Sequence, residues 1–200
     1  MFVQIITGKV KDAEGVKRDM DAWVTERGPQ AHGWLGTTSG VTQDGRFVAF
    51  ARFENEEIAR KNSDDPEQGK WWERFSKNLE GEATFFDSSQ AYLSGGGGSD
   101  NAGFVQVMHG RVNDMQKARE LDERMGNDMG GRRPDVIGSI TAGSDDGEFW
   151  TAIYFTSLEE ARQGEKEMNE NPPPEMAEWG ALMVGDMEFY DLEEPMLVSK

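Results

Sequence analysis

The sequence predicts an α+β fold in which one βαββαβ unit is written twice in tandem. Three observations predict it: a long internal repeat, strands that are apolar at both parities, and a glycine-rich stretch between the copies. The repeat comes first. Phe2-Val3-Gln4-Ile5-Ile6-Thr7-Gly8-Lys9-Val10 recurs as Phe104-Val105-Gln106-Val107-Met108-His109-Gly110-Arg111-Val112, an offset of 102. The same offset relates Asp12 to Asp114, Gly36 to Gly138, Asp44-Gly45 to Asp146-Gly147, Phe53 to Phe155 and Ala59-Arg60 to Ala161-Arg162. The second copy then gains six residues, and register resumes with Pro66 and Trp71 against Pro174 and Trp179. A last block sets Gly81, Phe85-Phe86 and Asp87 against Gly185, Phe189-Tyr190 and Asp191.

Each element of the unit has a local cause. Residues 2–10 are apolar and β-branched, which favours a strand. Asp12 is a good N-cap for a helix to about Arg27, and Val16, Met20, Trp23 and Val24 give that helix one apolar face. Residues 34–42 and 46–54 read as strands joined by Gln43-Asp44-Gly45, a strong hairpin signal. Asn55 caps a short helix to Lys61, Pro66 interrupts, a second helical piece covers about 68–78, and residues 82–88 close the unit as a strand. In the second copy the corresponding elements are a strand at 103–112, a helix at 114–125, hairpin strands at 135–142 and 148–156, a helix at 157–169 and a strand at 186–191. Ser157 with Glu160 behind it forms a capping box for the later helix.

Ser94-Gly95-Gly96-Gly97-Gly98-Ser99-Asp100 has the composition of a linker. The chain therefore divides into a first repeat at 1–94, a linker at 95–101 and a second repeat at 102–200. In the first hairpin Phe47 and Phe53 point one way while Val48 and Phe50 point the other, so the sheet expects burial on both faces. A sheet with helices on one face leaves the other bare, and two copies packed sheet on sheet would cover each other.

Composition narrows the function. There is no cysteine, which excludes disulfides, thiolate metal sites and cysteine nucleophiles. Two histidines, His32 and His109, make a multi-histidine metal centre a poor expectation. The formal net charge of −17 repels phosphate backbones and anionic lipid, so neither nucleic acid nor a membrane surface is an expected partner. The first residues are too short and polar for a signal peptide and no long apolar run follows, which reads as a cytoplasmic protein. The glycines at 95–98 lack the Lys-Ser/Thr and helix of a phosphate loop, and no cofactor is called for.

With the βαββαβ order and the repeat in hand, the chain resembles the ferredoxin-like dimeric α+β barrel superfamily, tandem-duplicated. Within it, the chain is similar to antibiotic biosynthesis monooxygenase-like proteins. The resemblance rests on topology, on the Phe-Val-Gln opening strand and on the stretch from Asn62 to Trp71-Trp72. It implies two repeats packed as an intramolecular barrel and a cleft between helices and sheet. It implies a small hydrophobic molecule there, and a monomer or a dimer of tandem barrels. Members serve cofactor-free oxygenation, haem binding or other reactions, so the fold does not select one. The leading expectation is a monooxygenase-like oxidoreductase acting on a flat phenolic or polyketide-like substrate. The alternatives are a non-catalytic small-molecule binding or stress-related module, and a haem-binding protein.

The resemblance implies an Asn and a Trp lining the cleft, which Asn62 and Trp71 match; Asn62 would hold a substrate oxygen. Asn62 aligns with Gly164 and Trp72 with Gly180, so both belong to one copy only. Trp71 has a partner in Trp179 and serves equally as a core anchor. His109, on a strand, is a candidate general base or a core histidine, and it shares a face with Arg111. Arg52 and Arg111 could grip an anionic substrate or pair with acidic neighbours. Gln4 and Gln106, present in both copies, read as structural. Nine of eleven methionines lie after residue 100, while four of six tryptophans lie in the first copy. This lopsidedness reads as core drift after duplication. The first copy, with Asn62 and its tryptophans, reads as the better equipped.

Overall fold

In the computed structural model the backbone of residues 1–200 is described, together with the side chains of all but residues 126–132; Met129 thus lies outside the described side chains. The chain forms two compact units, residues 1–89 with 194–200, and residues 90–193.

In the first unit β1 (Phe2–Val10) leads to α1 (Ala13–Ala22), whose N-terminus is capped by Asp12 accepting the Gly15 N–H at 2.9 Å. The helix then widens into a π turn over Trp23–Arg27. The hairpin β2 (Trp34–Val41) and β3 (Arg46–Phe53) turns at Gly45, whose φ of 80° is the left-handed conformation that favours glycine. Asn55 caps α2 (Glu56–Ser63), and Asp65 with Pro66 at the first helical position starts α3 (Pro66–Phe75). The unit returns through β4 (Leu79–Ser88).

In the second unit β5 (Gln90–Gly95) is followed by β6 (Phe104–Arg111), α4 (Met115–Arg132), the hairpin β7 (Val136–Gly143) and β8 (Glu148–Phe155), α5 (Leu158–Glu170), α6 (Pro174–Leu182) and β9 (Glu188–Leu192). Asp114 accepts the Lys117 N–H at 3.0 Å, and Ser157 accepts that of Glu160 at 3.2 Å, the cap expected there. A last strand, β10 (Met196–Ser199), belongs to the first unit.

All strands pair antiparallel, in the orders β10-β2-β3-β1-β4 and β5-β7-β8-β6-β9. Four strands of each sheet have the order of the split βαβ unit, as the repeat predicts. The fifth strand of each is an addition. The stretch ending the first copy pairs with β7 of the second unit, Tyr92 opposite Thr141, and the C-terminus pairs with β2 of the first, Met196 opposite Ser39. The boundary read at residue 94 thus falls inside β5, and Gly95 of the glycine run is its last residue. Both faces of the hairpin are buried: Phe47 and Phe53 belong to the helix-side core, and Val48 and Phe50 on the opposite parity are buried too.

Candidate functional site

The two units pack the space between helices and sheet differently. In the first it is one continuous core of Phe2, Val16, Met20, Trp23, Trp34, Trp71 and Phe75 with smaller residues from the sheet. Trp23 meets Trp34 edge-on at 4.9 Å between ring centroids, and Trp71 stacks on Phe75 at 4.9 Å. In the second the corresponding residues form two separate clusters. One holds Val112, Ala118, Leu121, Phe149 and Leu182, the other Phe104, Phe155 and Ala161. A cavity of about 770 Å³ lies in this unit, walled by β6, β7, β8, β9 and the three helices. Its size is that of a small-molecule pocket.

The alignment of the copies explains the cavity. Trp23 corresponds to Met125, Trp34 to Val136 and Trp72 to Gly180, and all three replacements line the cavity. The pairing of Trp34 with Val136 is confirmed by register, because each precedes the same bulge and lies opposite Phe53 or Phe155. Aromatic volume removed at three points leaves space there, even though Arg133, Thr151 and Ile153 are larger than Ala31, Ala49 and Ala51 in the first copy. Met108, Met125, Met168, Met176, Met183 and Met187 line it. Methionine is flexible and polarisable, so its walls adapt to a flat ligand. The methionine and tryptophan lopsidedness, expected to be drift, therefore maps onto a cavity. In the first copy, expected to be the better equipped, the tryptophans occupy the space that corresponds to this cavity. What remains there is a pocket of about 190 Å³ beside Gln4, Arg60 and Asp87.

One polar cluster in the cavity wall belongs to the second copy alone. Asp122 on α4 accepts the Trp179 indole N–H at 3.2 Å and the Tyr92 hydroxyl from β5. Burial raises the Asp122 carboxyl above the ordinary aspartate range, although both donors oppose the shift. Burial and the Asp122 charge likewise raise the Tyr92 phenol. Thr141 and Thr151 bond each other at 3.0 Å in the adjacent sheet wall. The first copy has Met20 in place of Asp122 and Ala49 in place of Thr151, and by register Met196 in place of Tyr92. A carboxyl held in an apolar wall with a high proton affinity can accept or return a proton on a bound molecule.

Two arginines stand at the other part of the wall. Arg162 pairs with Glu165 at 2.8 Å and with Asp191, and the Gln106 amide donates to Asp191 at 3.0 Å. The first unit repeats the amide–carboxylate bond, Gln4 donating to Asp87 at 2.9 Å, while Arg60 there pairs with Glu56. The amide–carboxylate bond therefore serves the fold of both copies. Arg133 is 5% exposed and is held by Asp135 at 2.6 Å. It has no counterpart, since Ala31 stands at that position.

None of the six residues expected to form a site lines this cavity. Asn62 sits half-buried near the end of α2, and its carbonyl accepts the Asp65 N–H at 3.3 Å. Trp71 is buried in the first unit's core and donates from its indole to the Asp19 carbonyl at 2.7 Å. Trp72 packs on Phe75 and Phe85. Arg52 is buried, donates to Ser199 at 3.1 Å and thereby ties β10 to β3. His109 and Arg111 share one face of β6, as their spacing predicts, whereas Gln106 and Met108 at the opposite parity line the cavity. His109 stacks on Trp150 at 3.9 Å with its Nε2 3.0 Å from Glu148, and Arg111 pairs with Asp146 at 2.9 Å. Asn62, Trp71, Trp72 and Arg52 lie in the first unit and His109 and Arg111 in the second, so the six form no single constellation. Sequence reasoning missed Asp122, Tyr92 and Arg133. The usable signal was their one-copy occurrence at positions where the other copy has Met or Ala. Among the described residues no cluster of metal-ligating side chains is found.

No protein-family model matches this sequence, and no curated protein is similar to it at the sequence level. Solved structures are similar to it along its whole length. A proposed monooxygenase from Fusobacterium nucleatum matches with a TM-score of 0.73 and 8% identity, covering 100% of this chain and 94% of that one. A proposed monooxygenase from Lactobacillus acidophilus matches with a TM-score of 0.65 and 12% identity, covering 99% of both. An anthrone oxidase-like protein matches with a TM-score of 0.63 and 11% identity, covering 98% of this chain and 92% of that one. At such identities the likeness is one of fold.

Proposed function

We propose, for a chain whose fold is that of tandem-duplicated dimeric α+β barrel proteins of antibiotic biosynthesis monooxygenase type, that the second-repeat cavity is a substrate site. The reaction would be a monooxygenase-like oxidation of a flat, hydrophobic, phenolic or polyketide-like molecule. One observation carries this reading: a cavity of about 770 Å³ with methionine walls and a half-buried carboxyl of raised proton affinity, in one copy only. The fold shared with proposed monooxygenases and an anthrone oxidase-like protein supports the reaction type at the level of architecture alone.

The chemistry follows from the wall. Asp122 takes a proton from a bound hydroxyl or activated methylene, leaving an electron-rich anion in an apolar space. Its raised pKa brings it nearer to that of such an acid, which favours the transfer. Tyr92 and Trp179 hold the carboxylate in place through their two donors. The substrate anion then gives electrons to dioxygen. One oxygen atom bonds to carbon, the other leaves as water, and a methylene becomes a carbonyl. The electrons come from the substrate, so the step balances with dioxygen as the only co-reactant.

The test is oxygen uptake with a panel of hydroxynaphthalenes and anthrones. Uptake is expected with the parent and is lost in Asp122→Asn while binding persists. Saturable binding with no uptake by any panel member would replace the enzyme with a binding module that uses the same cavity.

A further inference from the structure

The Arg133 guanidinium is placed to read one feature of the ligand. Asp135, itself 8% exposed, accepts from Arg133 Nε at 2.9 Å and from Nη2 at 2.6 Å. Nη2 also approaches the Ala161 carbonyl at 3.4 Å. The remaining nitrogen, Nη1, has the Met168 sulfur at 3.1 Å as its acceptor among the described residues. A thioether is a weak acceptor for a buried guanidinium N–H. Arg133, Met168 and the neighbouring Asn169 all line the cavity. Room for the guanidinium is made by Gly164, where a Cβ would lie 2.3 Å from Arg133 Nε. The first copy reverses the exchange, with Ala31 and Asn62 at these two positions. The arginine and the glycine thus arrive together, and only in the copy with the cavity.

The two polar features lie at opposite ends. Arg133 covers Phe155 at 5.5 Å, while Tyr92, the Asp122 partner, lies opposite Thr141, which pairs with Thr151. Thr151 and Phe155 are four residues apart on β8, about 13 Å at a strand's rise. Charge decides what Arg133 can take. Asp135 already neutralises it, and Arg162 faces both Glu165 and Asp191. This wall is net acidic, so a second carboxylate would be repelled while a neutral acceptor oxygen would not.

We infer that Arg133 is the specificity determinant of the cavity: its Nη1 exchanges the Met168 sulfur for a neutral carbonyl oxygen, selecting hydroxy-ketones whose ionisable hydroxyl reaches Asp122 at the far end. The inference rests on the cavity being the substrate site, and the experiment separates the two. Three ligands of one shape are titrated by fluorescence: 6-ethyl-2-naphthol, 6-acetyl-2-naphthol and 6-hydroxy-2-naphthoate. The expected order has the acetyl compound about tenfold tighter than the ethyl one, the scale of one hydrogen bond to a charged group, and the carboxylate weakest. Arg133→Met removes the acetyl preference, so that the ethyl and acetyl compounds bind alike. Because that change strands Asp135 without its partner, Arg133→Met/Asp135→Asn is measured alongside it. Equal binding of the ethyl and acetyl compounds by the parent overturns the Arg133 assignment and leaves the cavity standing. Carboxylate binding tighter than ketone binding overturns it too. If no naphthol binds, the cavity reading itself has failed.

Discussion

The first repeat closes the space between its helices and its sheet with tryptophan rings; the second opens the same space by replacing three of them with Met125, Val136 and Gly180. The helix carboxylate facing inward also differs. In the first repeat burial opposes ionisation of Asp19, but Arg18 at 3.2 Å, Asn78 at 2.8 Å and Arg74 at 3.2 Å together hold its carboxyl below the ordinary range. In the second the corresponding residue is Leu121, and the carboxyl sits one position on, at Asp122, where it faces the cavity and is raised. A one-residue move along a helix turns a side chain by about 100°, enough to carry an acid from a structural ion pair to a cavity wall. Duplication thus left one copy committed to packing and freed the other to keep a hole.

That contrast can be broken most sharply by giving each copy the other's residues. Gly180 has open space where a side chain would begin, so Gly180→Trp fills the cavity with the first repeat's own residue and is expected to weaken ligand binding at least a hundredfold with the fold intact. Isothermal titration with 6-ethyl-2-naphthol reads this. Next in size, Trp34→Val imposes the second repeat's residue on the first repeat's core. It is expected to cost about 3 kcal/mol of stability by urea denaturation, because a packed core does not relax around a lost ring. The same change in the second repeat has already been absorbed.

Asp122→Asn comes third. Turnover is expected to fall by about 10²–10⁴, with affinity for the ligand within a few-fold. Stability has its own signature. A carboxyl whose folded pKa lies above its unfolded value, near ~4, holds its proton more tightly when folded. Its contribution is therefore greatest below the unfolded pKa and is lost as pH rises through the folded one. The gap between variant and parent stability should then move in the variant's favour from pH 4 upward; a gap constant with pH contradicts the raised carboxyl. Smallest of all, Asn62→Ala is expected to change binding and turnover less than twofold, since Asn62 does not line the cavity.

Much of the fold was legible in local chemistry. Asp12, Asn55 and Ser157 cap the helices they were expected to cap, and the Asp-Gly pairs turn both hairpins. The fifth strands were not legible. Gln90–Gly95 and Met196–Ser199 are short and belong to sheet edges supplied by distant sequence, and a serine-glycine run reads as linker whether or not it is paired. The helix Pro174–Leu182 was hidden behind the proline insertion that breaks the repeat's register. Of the site, occurrence in one copy alone was a usable signal, yet it pointed to residues outside the cavity such as Asn62 and Trp72. It missed Asp122 because α4 is polar along most of its length, so one more acid carries no periodic signal. The tryptophan-to-methionine exchange was visible as composition, but a cavity is a sum of missing volumes and no single residue announces it.

The most direct measurement compares ligand titrations of the parent and Gly180→Trp under identical conditions. The account predicts saturable one-to-one binding in the parent and its loss in the filled variant, with both proteins equally folded by circular dichroism. Undiminished affinity in a folded Gly180→Trp protein would contradict the placement of the site in the second repeat.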